Sequence, residues 1–166
     1  MSPSTTALVV GKFAPFHIGH QRLIELAIEL ADDVVVLCWS NPDFEFADSA
    51  ERASWIREIY PTVKVLTPSG VPPNSSPDDV QQAFTHGLIS EFGLLIDFVV
   101  SGEDYGDALA RRLSAKHIRI DRSIPGVAVA ISGTMIRSNL AVSSAFLHPV
   151  VMSSLNGKCD RNGTLI

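Results

Sequence analysis

Two stretches of this chain set phosphate-seeking side chains where helices are expected to begin. The first, Gly11-Lys12-Phe13-Ala14-Pro15-Phe16-His17-Ile18-Gly19-His20, lies between a short β-branched run and an amphipathic stretch. In the opening turn of a helix a spacing of three puts His17 and His20 on one face, and Gly19 removes a side chain that would crowd a ligand. Backbone N–H groups and the macrodipole at a helix start favour an anion, and imidazoles add donors that are neutral or cationic near pH 7. Gly11 permits close backbone approach and Lys12 supplies a positive charge, a set that suits a triphosphate. A lone histidine here would read as a satisfied loop residue; two on a Gly/Pro-shaped strand-to-helix turn read as a site.

The second stretch, Ile131-Ser132-Gly133-Thr134-Met135-Ile136-Arg137, again puts polar residues at a helix start. Ser132 and Thr134 offer hydroxyls, Gly133 lets the backbone close on a ligand, and Arg137 lies one turn on with a planar fork matched to phosphate oxygens. By itself this is a Ser/Thr cap with an exposed arginine. Paired with the first loop, it becomes half of an anion site.

Elements that could position these loops alternate along the whole chain, the pattern of βαβ units around a parallel sheet. Strands are expected at Ala7 to Val10, Val34 to Leu37, Val63 to Leu66, Asp97 to Val100 and His117 to Ile120. Between them, Leu23, Ile24, Ala27 and Leu30 mark one helix and Ala50 to Ile59 a second, stopped by Pro61. A third is expected from a Ser76 N-cap with Pro77 at its first position to about Gly93, and a fourth over about Gly106 to Leu113. A Pro125-Gly126 turn then leads to the helix opened by Ser132-Gly133-Thr134. The expectation is one α/β domain, a doubly wound, Rossmann-like five-stranded parallel sheet over residues 1–151. Residues 152–166, without periodicity, are expected to be a mobile tail.

Composition narrows the function. With 166 residues there is room for one domain with a real core. The 13 Lys+Arg against 18 Asp+Glu give a net charge of −5, which argues against a nucleic-acid or membrane-surface partner, so positive charge must be local. Cys38 and Cys159 are too few and too far apart for a disulfide framework or a CxxC metal site, and the start lacks a secretory pattern, so a cytoplasmic protein is expected. Walker, GxGxxG, HExxH and GxSxG motifs are all absent, which leaves neither zinc hydrolysis nor a serine nucleophile indicated.

The two loops together resemble the GxFxPxHxGH and ISGTxIR signatures of the HxGH nucleotidyltransferases. Glu51-Arg52-Ala53-Ser54-Trp55-Ile56, Ser101-Gly102-Glu103-Asp104-Tyr105-Gly106, the Ile120-Asp121 pair and the segment from Phe146 to Val151 make the chain most similar to nicotinamide-nucleotide adenylyltransferases of the bifunctional NAD-salvage and archaeal type, without their kinase domain. The resemblance implies transfer of AMP from ATP to nicotinamide mononucleotide (NMN), giving NAD and pyrophosphate, with Mg²⁺ carried by the ATP phosphates and no protein metal ligand. It implies His17, His20 and Arg137 as catalytic residues, and Gly11, Lys12, Phe13, Gly102, Asp121, Ser132 and Thr134 with them around ATP. Phe13, Arg52, Trp55, Glu103 and Tyr105 are implied around NMN. One departure is that Arg122 follows Asp121 directly, where relatives place an arginine a few residues on. Two alternatives stand beside this reading. One is a transferase of the same superfamily using another acceptor, such as nicotinate mononucleotide, phosphopantetheine or glycerol phosphate; the other is a nucleotide-sensing module without turnover. Partners are expected to be small molecules, and the sequence allows a homo-oligomer.

Overall fold

Alternate residues of the first strand enter different cores. In the computed structural model, which describes residues 3–44, 46–121 and 131–166, strand β1 (Thr6–Gly11) sends Ala7 and Val9 to one face and Leu8 to the other, all without solvent exposure. A strand buried on both sides reads as an unbroken apolar run, as expected for the centre of a parallel sheet. The other strands are β2 (Asp33–Cys38), β3 (Lys64–Leu66), β4 (Phe98–Ser101) and β5 (Lys116–Arg119). All pair in parallel, in the order β3-β2-β1-β4-β5. The doubly wound sheet expected from the sequence is thereby found.

Helices α1 (Ile18–Leu30) and α2 (Ser49–Ile59) carry the chain outward from β1 to β3 along one face, packing Leu23, Ile24, Ala27, Ala53 and Ile56 onto Ala7, Val9, Val34 and Val36. Helix α3 (Asp78–Glu91) then crosses to β4, and with α4 (Tyr105–Arg112) covers the other face through Ile89, Leu109 and Ala110 on Leu8, Val35, Leu37 and Val99. Fully burying an aliphatic side chain is worth about 1.5–3 kcal/mol, so these stripes hold the helices more firmly than their intrinsic propensity does. Strand order reverses between β1 and β4, and the crevice beyond their carboxyl ends is where such sheets bind ligands. Both loops singled out above open there.

Two expectations change. Helix α3 takes Pro77 rather than Ser76 as its N-cap, with no side-chain cap bond, because Pro77 is still extended at ψ 150°. The Pro125-Gly126 turn and Arg122 lie outside the described residues.

The expected tail is packed structure. After α5 (Gly133–Ser138) and α6 (Leu140–Ser143), helix α7 (Pro149–Leu155) runs across the proposed boundary at 151 and buries Val151 and Leu155 in the α1/α2 core. The chain then folds back through a Cys159 to Leu165 bridge, and Leu165 donates its N–H to Arg137 O at 2.9 Å. Single apolar residues separated by polar ones hold this segment, which is why no period announced it. It is also tied to α2, where Glu51 accepts from Ser154 Oγ at 2.7 Å and from Lys158 Nζ. Burial works to raise the Glu51 carboxyl, but the Lys158 and Ser154 bonds outweigh it and hold it below the usual range. A depressed carboxyl stabilises the fold above the unfolded value near 4.5 and loses that contribution as pH falls through the folded value. Glu51→Gln should therefore lower stability by under about 1 kcal/mol at pH 7, since the group is partly exposed, and by progressively less at an acid pH below the unfolded value. Thermal unfolding at the two pH values checks this; an equal deficit at both would overturn the linkage.

Candidate active site

The histidine loop builds its own helix start. His17, extended at φ −128° and ψ 170°, is the N-cap of α1, and its Nδ1 accepts the Gly19 N–H at 3.1 Å. In return the His17 N–H donates to His20 Nδ1 at 3.3 Å, closing a capping box of two imidazoles. Their rings stack with centroids 3.7 Å apart, and His20 also stacks on Phe16 and meets the edge of Phe13. With each Nδ1 accepting, the neutral tautomer carries its proton on Nε2, so both rings present N–H donors. The sequence assigned backbone donors of this turn to an anion; Gly19 and His17 instead spend theirs on the imidazoles, and the side chains take over the role.

Phe13 adopts a left-handed backbone, φ 52°, and is buried at 1% exposure. Its ring covers Gly11, where a Cβ would lie 2.9 Å from Phe13 Cε1 and Cζ. The aromatic ring packed on Gly11 is thus one reason for a glycine there.

The second loop docks onto the first. Ser132 caps α5, accepting from Met135 N at 3.2 Å. The Arg137 guanidinium reaches back across the chain to donate to Ala14 O, and also to Thr134 Oγ1 at 3.2 Å. A Cβ on Gly133 would stand 2.4 Å from Ala14 O, so the two loops touch at a point that admits only glycine. Gly133→Ala must push them apart. It should cost about 1–3 kcal/mol, the usual penalty for overpacking, and any polyanion that bridges the two loops should bind more weakly in parallel. Chemical denaturation with nucleotide titration tests this, and an unchanged midpoint would show that the contact yields freely.

These loops line a cleft of about 540 Å³. Gly11, Lys12, Phe13, His17, His20, Ser132, Thr134 and Arg137 all face it, as do Gly102, Glu103 and Tyr105 from the end of β4. Lys12 Nζ bonds Asn74 Oδ1 at 2.7 Å and lies 4.7 Å from the centre of the Phe44 ring, over which Arg137 and Arg52 also sit, at 5.4 and 5.7 Å. Burial lowers the pKa of Lys12, with Asp43 opposing and Arg137 and Arg52 adding to the fall; burial lowers Arg137 as well. Cations crowded in this way, with one aromatic face among them, gain from an incoming polyanion.

Three assignments from the sequence fall elsewhere. Arg52 has no solvent exposure and does not line the cleft; it donates to Ala47 O at 2.7 Å, Trp39 O at 3.0 Å, Ser40 Oγ at 2.8 Å and Lys12 O. Every arm of its fork is taken by the loops that follow β1 and β2, so it pins them from beneath. Trp55 is core, at 2% exposure. Asp121 is exposed and lies outside the cleft lining. Cys38, beside Arg52, is pushed up by burial to about 11, so it stays a thiol at neutral pH.

Behind the β4 loop, Ser101 Oγ lies 2.8 Å from His117 Nε2, and His117 Nδ1 lies 2.7 Å from Asp107. The order is that of a nucleophilic triad, but Ser101 is buried at 1% and its hydroxyl lies 3.0 Å from Glu103 O. The group therefore fastens the loop carrying Gly102 and Glu103. A Cβ on Gly106 would strike both His117 Nε2 and Ser101 Oγ, at 2.2 and 2.3 Å, which explains the glycine.

The model of the cytidylyltransferase-like family matches residues 8–139, a span that contains both loops, strands β2 to β5 and most of β1. The chain belongs to that family. Among solved structures, the NadR protein in complex with NAD and AMP-PNP is similar at a TM-score of 0.63 and 21% identity, over 93% of this chain and 48% of that one. A bifunctional NMN adenylyltransferase/ADP ribose pyrophosphatase from Francisella tularensis is similar at 0.60 and 15% identity, over 98% and 45%. The chain thus spans about half the length of these structures, and at such identities the likeness is one of fold.

The cytidylyltransferase-like cleft also uses residues that the sequence reading passed over. Trp39 and Asn41 follow β2 directly, and Phe44 closes over the cations. Gln81, Gln82 and Thr85 approach from α3. One signal was available for the first two, since they stand at the carboxyl end of a central strand, where this architecture puts ligands.

Proposed function

We propose that this cytidylyltransferase-like domain transfers AMP from ATP to NMN, forming NAD and pyrophosphate. The observation that carries the reading is the joining of the two loops through Ala14, Gly133 and Arg137, which brings Lys12, His17, His20 and Arg137 to one cleft at the switch point of the sheet. The NadR protein, which shares the fold, was solved with NAD and AMP-PNP, and the Francisella protein is named an NMN adenylyltransferase.

A phosphate oxygen of NMN attacks the α-phosphorus in line; the new P–O bond forms as the bond to the β-phosphate breaks, and the electron pair leaves on pyrophosphate. The attacking monoester is already an anion, so no general base is needed and catalysis reduces to alignment and charge stabilisation. His17 and His20 donate through Nε2 to phosphate oxygens, His20 at the α-phosphate, while Lys12 and Arg137 hold the β- and γ-phosphates. Lys12, His17, His20 and Arg137 bring nitrogen donors to the cleft, where a polyanion carrying its own cation would meet them. That set fits Mg²⁺ borne on the phosphate oxygens, with Asp78 and Glu103 the lining carboxylates. When bound, the ion spreads the phosphate charge.

The test is pyrophosphate release from ATP and Mg²⁺ with a panel of acceptors: NMN, nicotinate mononucleotide, phosphopantetheine and glycerol phosphate. NAD formed from NMN supports the reading. Product from another acceptor alone, or tight ATP binding with no pyrophosphate from any, would replace it.

A further inference from the structure

We propose that the Trp39 end of the cleft is a subsite for a planar group bearing N–H donors, a primary carboxamide, and that Asn41 and Gln81 select it over the corresponding carboxylate. The proposal rests on the nucleotidyl-transfer reading above and names the group by which the acceptor is recognised.

Asn41 follows β2 and is buried at 3% exposure; Gln81 stands on α3; both line the cleft. Asn41 Nδ2 donates to Pro72 O and Gln81 Nε2 to Pro73 O, each at 2.7 Å. Successive carbonyls of one loop thereby fix both amides, because a carbonyl can only accept and the reverse rotamer would set oxygen against oxygen. Asn41 Oδ1 and Gln81 Oε1 are left over. Both are screened from solvent and have no hydrogen-bond partner among the described residues. Buried acceptors are nearly always paired, so two orphans on residues that line one cleft call for a donor.

The neighbouring surface says what kind of donor. Trp39 meets Phe84 edge to face, with centroids 5.5 Å apart, and Trp39 itself lines the cleft. An aromatic wall beside two fixed acceptors fits a flat ring carrying an amide NH₂, which supplies two N–H donors. A carboxylate there has none to give. It would set its oxygens against two carbonyl oxygens and leave both orphans unmet, and sites built to hydrogen-bond a group reject its non-donating analogue strongly.

Binding of NMN and of nicotinate mononucleotide should be measured by calorimetry on the wild type, Asn41→Leu and Gln81→Met, with pyrophosphate release followed in parallel. The wild type is expected to bind NMN on the order of 10²-fold more tightly than the acid. Each variant is expected to shrink that ratio about tenfold by weakening NMN while leaving the acid alone. Gln81→Glu keeps an acceptor and should preserve the preference for the amide. If Asn41→Leu fails to fold, Gln81→Met, at a half-buried helix position, still decides the matter. Equal or tighter binding of the acid, binding of neither, or a ratio untouched in Gln81→Met would overturn the subsite. Amide-selective binding without pyrophosphate would instead overturn the transfer reading and leave the subsite standing; rapid turnover of the acid as well as the amide would do the opposite.

Discussion

Replacing Arg52 with methionine is expected to destabilise the protein by about 3 kcal/mol while leaving its overall architecture in place. The side chain is fully buried and its guanidinium serves Lys12 O, Trp39 O, Ala47 O and Ser40 Oγ. Each acceptor stranded in the interior costs about 1–3 kcal/mol. Against that sum stands the relief of a desolvated charge, since burial already lowers the Arg52 pKa, and methionine fills part of the vacated volume. The stranded acceptors outnumber the relief, so the net sign is loss. Urea denaturation reads it directly. The resemblance implies a place around NMN for Arg52, and the two roles separate cleanly. A pin lowers the denaturation midpoint, whereas a substrate ligand raises KM for NMN at wild-type stability. A midpoint within about 0.5 kcal/mol of wild type, the range of an ordinary surface change, would reject the pin.

His20→Ala should lower kcat by about 10²–10³-fold, the scale of losing one preorganised donor to developing charge, with ATP affinity changed far less. Preorganisation is what the geometry supplies. The His20 ring is clamped between His17, Phe16 and Phe13, and its Nδ1 is committed to the His17 N–H. It therefore has little freedom to lose when the transition state forms. The same substitution breaks the capping box, so about 1 kcal/mol of stability should go with it. Rates are thus to be compared well below the unfolding temperature. Parallel losses in kcat and ATP affinity would assign His20 to ground-state binding instead.

The fold was readable because both faces of the sheet are covered. Runs such as Val34 to Leu37 can only be central strands, and the stripe Leu23, Ile24, Ala27 can only face a sheet. The loops were readable because two histidines at capping distance and a Ser-Gly-Thr helix start are rare by chance. Arg52 was misread for a physical reason: charged side chains are almost never fully buried, and the four acceptors that make it tolerable come from three separate segments. The C-terminal segment failed for a related reason. Leu155 closes a helix of only two turns, and Leu165 reaches the core from an irregular path, so little period is left for a sequence to display. Phe44, Asn41 and Gln81 matter only through what stands opposite them.

The bond from Arg137 to Ala14 O joins residues 123 positions apart. During synthesis from the N-terminus, the histidine loop can therefore form long before its partner exists, and at about 5–20 residues per second the wait lasts many seconds. A nascent chain through β5 would hold His17 and His20 but neither Gly133 nor Arg137, and so only one wall of the cleft. Assembly of both walls of the cleft therefore waits for Arg137, and the helix that delivers it is itself held by Leu165, whose N–H meets Arg137 O. A chain truncated before Gly133 is expected to carry the histidine loop without its partner, and so to bind no polyanion in this cleft.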